Sequence, residues 1–200
     1  MNYNNKRIAG LLFFVGAVVY IFGIIISEAV YAGYSVGQQY VSELGDWSKA
    51  GNSAPIFNVS ATLSGLFVIA GAYFIQRVFK NRLFTSLLAM TGIGSVGIGV
   101  FALDVSWQMH SIFAVVTFVS ATASVIMSYK FEKSPLSYIS VILGAVMLVA
   151  GVLGESFSFY LGLGLGGMQR FFVYPIFLWM LGFGGYLIGE ASNSNSEVRK

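Results

Sequence analysis

The chain contains no cysteine, a single histidine, three prolines and few charges, with Asp, Glu, Lys and Arg making up 10% of 200 residues. Without cysteine there are no disulfides, thiolate metal sites or cysteine nucleophiles, and cysteine usage says nothing about redox compartment. One histidine, His110, cannot supply an HExxH zinc site or a centre built on several imidazoles. No metal and no cofactor is therefore expected. Soluble domains carry about a quarter charged residues. A chain with 10% cannot cover its own surface with polar groups, so lipid must be the solvent for much of it.

Apolar residues fill that space, at 56% of the chain with 16% aromatic. Crossing about 30 Å of hydrocarbon at 1.5 Å per residue needs runs of about twenty. Six stretches qualify, at 8–27, 55–78, 83–104, 109–129, 136–156 and 170–189. The first follows Lys6 and Arg7 as a signal peptide would, but it is longer than a typical signal core and lacks a small-x-small cleavage site after it. It is read as a retained span. The pattern predicts an all-α, polytopic membrane helix bundle of six transmembrane helices, one domain over 1–190, with a disordered polar tail at 191–200.

Six spans place both termini on one side, and charge selects which. Lys6, Arg7, Arg77, Lys80, Arg82, Lys130, Lys133, Arg199 and Lys200 fall on the terminus side, whereas Lys49 and Arg170 fall opposite. That asymmetry predicts cytoplasmic N- and C-termini in a multi-pass protein of the cell membrane. The same clustering beside apolar runs accounts for the net charge of +3 and the pI near 9.1. Membrane lipids, and another membrane subunit, are the expected partners, and nucleic acid is not.

Local residues mark the helix boundaries. Ser134 and Pro135 read as N-cap and first residue of span five, and Pro55 after Asn52 and Ser53 opens span two in the same manner. Pro175 falls inside span six and predicts a kink. Gly92, Gly94, Gly97 and Gly99 in span three, and the stripe Thr117, Ser120, Ser124 and Ser128 in span four, read as helix-packing surfaces. "GLGLGG", Gly162 to Gly167, lacks the lysine and the preceding strand of a phosphate loop and reads as a flexible or re-entrant turn. Asn58 and Thr62, one turn apart, are expected to face the bundle interior.

Polar residues concentrate at the end away from the termini. "GQQYVSELGD", residues 37–46, lies between two apolar runs and is expected to fold against the spans, with Tyr40 and Leu44 on its buried face. Glu43, Asp104, His110, Glu155 and Arg170 emerge at that face, and ionisable groups at span ends are paired or functional. The expected arrangement is a hydrogen-bonded network of Glu43, Arg170, Asp104 and His110 with Asn58 beneath it. These five are the candidate ligand-binding residues.

Four blocks carry a resemblance: "YAGYSVGQQYVSELGD", "SAPIFNVSATLSGLFVIAGAYFI", "GVFALDVSWQMHSIFAVVTF" and "GGMQRFFVYPIFLWMLGFGGYLI". In order and spacing, over about 8–190, they resemble the six-span prokaryotic membrane proteins grouped as domain of unknown function 998. The resemblance implies a fold and motif positions but no biochemical activity. Gln169 stands where an acid before the Arg is expected.

Three functions compete. The first is a non-enzymatic membrane protein whose outward polar site binds a lipid, a quinone or a partner membrane subunit. The second is an outward-facing hydrolase or transferase acting on a lipid or envelope substrate. There His110 would be the base, oriented by Asp104 or Glu43, with Ser42 or Ser111 as nucleophile and Arg170 holding an anionic group. The third is a small transporter, for which the spans lack mid-membrane charges and an evident inverted repeat. The first meets the most requirements; whether the chain is an enzyme stays open at this point.

Overall fold

A computed structural model describes the chain from residue 2 to residue 198, with side-chain surroundings from 4 to 193. It is helical throughout, with no strand among the described residues. The six long helices are α1 (Asn2–Val30), α2 (Ser53–Phe79), α3 (Arg82–Val100), α4 (Trp107–Met127), α5 (Leu136–Gly151) and α6 (Gly164–Val198). All six are long and apolar enough to cross a bilayer. Each packs on its neighbours in sequence and α6 returns to α1, closing a ring.

The termini of these helices follow from local chemistry. Asn81 caps α3 by accepting from the Phe84 amide at 3.0 Å, and Ser106 caps α4 through Met109 N at 3.4 Å. Span five departs from expectation: α5 begins at Leu136, Pro135 occupies the cap position, and Ser134 makes no capping bond. At its far end α5 passes into a π-helical turn, Val152–Ser156. Span six begins at Gly164, six residues before the expected start, so Pro175 lies about three turns inside α6. The chain reverses ahead of it through Leu161, Gly162 and Gly164, all with positive φ. The last three glycines of "GLGLGG", Gly164, Gly166 and Gly167, thus belong to the helix. At the other end α6 runs on to Val198, so the polar segment from 191, read from composition as a disordered tail, continues the helix; residues 199 and 200 lie outside the described residues.

Helices in lipid gain little from apolar contact with one another and associate by close backbone approach. A Cβ placed on Gly65 would lie 2.6 Å from the Gly92 carbonyl oxygen, fixing the α2–α3 crossing, and one on Gly184 would lie 2.7 Å from the Gly10 carbonyl oxygen between α1 and α6. Gly94 and Gly97 likewise admit Thr117 and Phe113 of α4. The serine stripe of α4 is buried as a packing surface, with Ser120 Oγ 2.9 Å from Thr91 Oγ1 and Ser128 Oγ accepting from Trp179 Nε1 at 2.9 Å. An aromatic cluster of Phe13, Phe84, Phe131, Trp179 and Phe183 fills the half of the core nearer the termini. Two small voids lie between the helices, of about 10 Å³ and 50 Å³, both lined mainly by apolar side chains with Thr91 between them.

A polar layer at the end away from the termini

The segment 37–46 is folded against the helices. Val41–Gly45 forms a short 3-10 helix that buries Val41 and, completely, Leu44. Tyr40, expected on that buried face, is only partly covered. Its backbone amide donates to Glu43 Oε1 at 3.0 Å, a capping-box bond that holds the turn closed. Three contacts then dock the turn. Ser53 Oγ donates to the Leu44 carbonyl at 2.8 Å, Asn58 Nδ2 donates to the Gly45 carbonyl at 2.8 Å, and the Val41 amide donates to Gln169 Oε1 at 2.5 Å. Gln169, where the family resemblance leads one to expect an acid, therefore supplies a neutral acceptor that ties the turn to α6.

Arg170, the next residue, is 9% exposed. Its Nη1 donates to the Gly166 carbonyl at 2.8 Å, Nε to Tyr174 Oη at 3.3 Å and Nη2 to Tyr34 Oη at 3.2 Å. The charge partner is Glu28 in the last turn of α1, which accepts from Nη2 in a short ion pair. The expected network is corrected here: Arg170 pairs with Glu28, not Glu43. Tyr34 joins the two halves of the layer, since its hydroxyl also donates to the Tyr40 carbonyl at 3.3 Å. Burial pushes the Tyr34 hydroxyl up from its ordinary value, and Arg170 pulls it partly back.

Asp104 and His110 lie elsewhere in the layer, on the α3–α4 hairpin, where His110 braces the hairpin and Asp104 ties it to the first loop. His110, 5% exposed, has Nδ1 2.8 Å from the Phe101 carbonyl at the end of α3. Asp104 Oδ1 accepts from the Trp47 amide at 3.1 Å. Their hydrogen bonds run to backbone groups, so neither is joined to the other, to Glu43, or to Ser42 and Ser111, as a nucleophile–base pair would be. Asn58 is buried beneath the turn as expected, and its Oδ1 receives no hydrogen bond.

A second group gathers around Tyr40. Tyr160, Glu155 and Glu43 all lie close enough to act on its hydroxyl, which burial first, and then these neighbours, push up to about 12. Among the described residues neither Glu43 nor Glu155 forms an ion pair. Beside them the connection from α5 to α6 exposes Phe157, Phe159, Leu161 and Leu163. This connection is fastened to the first loop, the Leu165 amide donating to the Gly37 carbonyl at 3.2 Å and the Gly167 amide to Val36 at 3.1 Å.

Sequence reasoning missed Glu28, Tyr34 and Tyr174, and marked Gln169 only as a departure from the family pattern. Glu28 had a signal: an acid in the last turn of a helix opposes the helix dipole and calls for a cation nearby.

Six apolar antiparallel helices, closed in a ring and bearing a polar layer at one end, define a multi-pass membrane bundle. Residues 14–186 match the family described as protein of unknown function (DUF998), and the chain belongs to that family. No curated protein and no solved structure matches it.

Proposed function

We propose that this is a non-enzymatic lipid-binding protein of the cell membrane, whose polar layer faces outward and takes an amphiphile with an amine-bearing headgroup. The observation that carries this reading is the pairing of two uncompensated acids, Glu43 and Glu155, with an exposed apolar connection at 157–163. Acids left without a cation at a membrane surface favour an ammonium, and aromatic and aliphatic side chains beside them suit the adjoining acyl region. Arg170 is already neutralised by Glu28, so an anionic headgroup finds no free cation at that node. In this reading Arg170, Asn58, Asp104 and His110 hold the layer in shape and Glu43 meets the ligand.

The experiment uses the chain in nanodiscs containing phosphatidylethanolamine and phosphatidylglycerol, with retained lipid identified by native mass spectrometry. Enrichment of the amine-bearing lipid is expected, and about a tenfold loss of it in Glu43→Gln/Glu155→Gln, equivalent to about 1.4 kcal/mol. Glutamine can still accept from the Tyr40 amide, so the turn should survive. Equal retention of both lipids, or enrichment unaffected by the double substitution, defeats the reading.

Orientation is tested separately. The basic residues cluster at the terminus end, which supports a cytoplasmic location for both termini. Because the chain has no cysteine, single cysteines at Asn52 and Asn195 are clean reporters. An impermeant thiol reagent on intact cells should label position 52 and not 195. The reverse pattern would turn the site inward.

A further inference from the structure

At the opposite end of the bundle, Glu132 lies in the connection between α4 and α5 and is 9% exposed. Its Oε2 is 2.6 Å from Ser140 Oγ of α5. Its Oε1 is buried and has no hydrogen-bond partner. The other donors nearby are committed elsewhere, since Trp179 Nε1 donates to Ser128 Oγ and Ser128 Oγ donates to the Val125 carbonyl at 2.7 Å.

We infer that Glu132 is a proton-binding site, in which a neutral carboxylic acid is held where α4, α5 and α6 meet and exchanges its proton with water at the terminus end. An ionised carboxylate has about four lone-pair positions to satisfy, and a bare anionic oxygen in an apolar setting costs far more than a bare neutral carbonyl oxygen. One serine hydroxyl does not meet that demand. A cation would, but none pairs with Glu132 among the described residues. Among the described residues, Tyr186 on α6 is acted on by Glu132, by Lys133 on the same connection and by Glu190 on α6, which places these groups around the site. Lys133 and Lys6 both reach Glu190, at 2.8 Å and 3.7 Å.

The energetic consequence has a definite sign. Burial raises the Glu132 carboxyl above its usual range, an effect that Ser140 and the nearby Ser128 and Trp179 only partly reverse. The bound proton therefore stabilises the fold fully below the unfolded-chain value of 4.5, and that contribution fades as pH rises through the higher folded value. Ionisation would bear most on α5. That helix carries Tyr138 and Ile142 outward into lipid and meets Glu132 through Ser140.

The deciding measurement is infrared spectroscopy of the wild-type protein in lipid, acid minus alkaline. A carbonyl stretch of a protonated, weakly hydrogen-bonded carboxyl should be present at neutral pH, disappear at alkaline pH and be missing from Glu132→Gln. A hydrophobic carbodiimide gives a second readout that needs no substitution. The acid's O–H adds across the reagent's C=N bond, so only the protonated form reacts, and peptide mapping should find Glu132 modified several-fold faster than Glu155. Absence of the neutral-pH band overturns the inference, as does a band that persists in Glu132→Gln.

Discussion

Arg170→Gln should lower the unfolding free energy in detergent by roughly 2–4 kcal/mol, toward the lower end of what breaking a buried ion pair costs. The discount reflects Glu28, whose side chain keeps 27% of its exposure and is partly solvated once the guanidinium is gone. The substitution also releases Tyr34, Tyr174 and the Gly166 carbonyl, so α1, the first loop and α6 lose their common node. A double-mutant cycle separates the candidate partners. Glu28→Gln and Arg170→Gln should be strongly non-additive, because either one alone removes the pair. Glu43→Gln should cost little, since the amide oxygen can still cap Tyr40, and it should add simply to Arg170→Gln. Strong coupling of Arg170 to Glu43, with additivity to Glu28, would reinstate the partner expected from sequence.

That exchange of partners illustrates what could be read from the chain. The six helices were legible because lipid thickness sets a length and lipid polarity sets a composition, and both are properties of a run of residues. Gly92, Gly94 and Gly97 were legible for a similar reason, since close approach in lipid needs small side chains. The early start of α6 was not. Phe157, Phe159, Leu161 and Leu163 are as apolar as a span but belong to an exposed connection, and it is the positive-φ positions 158, 161, 162 and 164 that reveal the turn. Choosing Glu28 over Glu43 for Arg170 required knowing that Glu43 is used by its own turn's backbone. A one-dimensional reading locates the acids at one membrane face but cannot tell which of them the backbone has already engaged. The polar layer was thus foreseen as a place, while its connections were set by packing between helices far apart in sequence.

The docking of "GQQYVSELGD" yields the second large effect. At Gly45 an added Cβ would collide with Asn58 Oδ1 and come within 2.7 Å of Phe57 Cδ1. Both residues sit in the first turns of α2 and are buried, so neither can swing into solvent to make room. Relief must come from the turn itself, which would lift away and break the bond from Asn58 Nδ2 to the Gly45 carbonyl. Overpacking at a well-filled contact costs about 1–3 kcal/mol, and losing the buried hydrogen bond adds about 1 kcal/mol more. Gly45→Ala should therefore destabilise by roughly 2–4 kcal/mol and expose residues 37–52 to protease. Gly37→Ala, in the same segment, is the matched control, because its Cβ would meet nothing within 4 Å and should leave both readouts unchanged. If the two variants melt and are cut alike, the turn is a solvated spacer and the polar layer has no fixed roof.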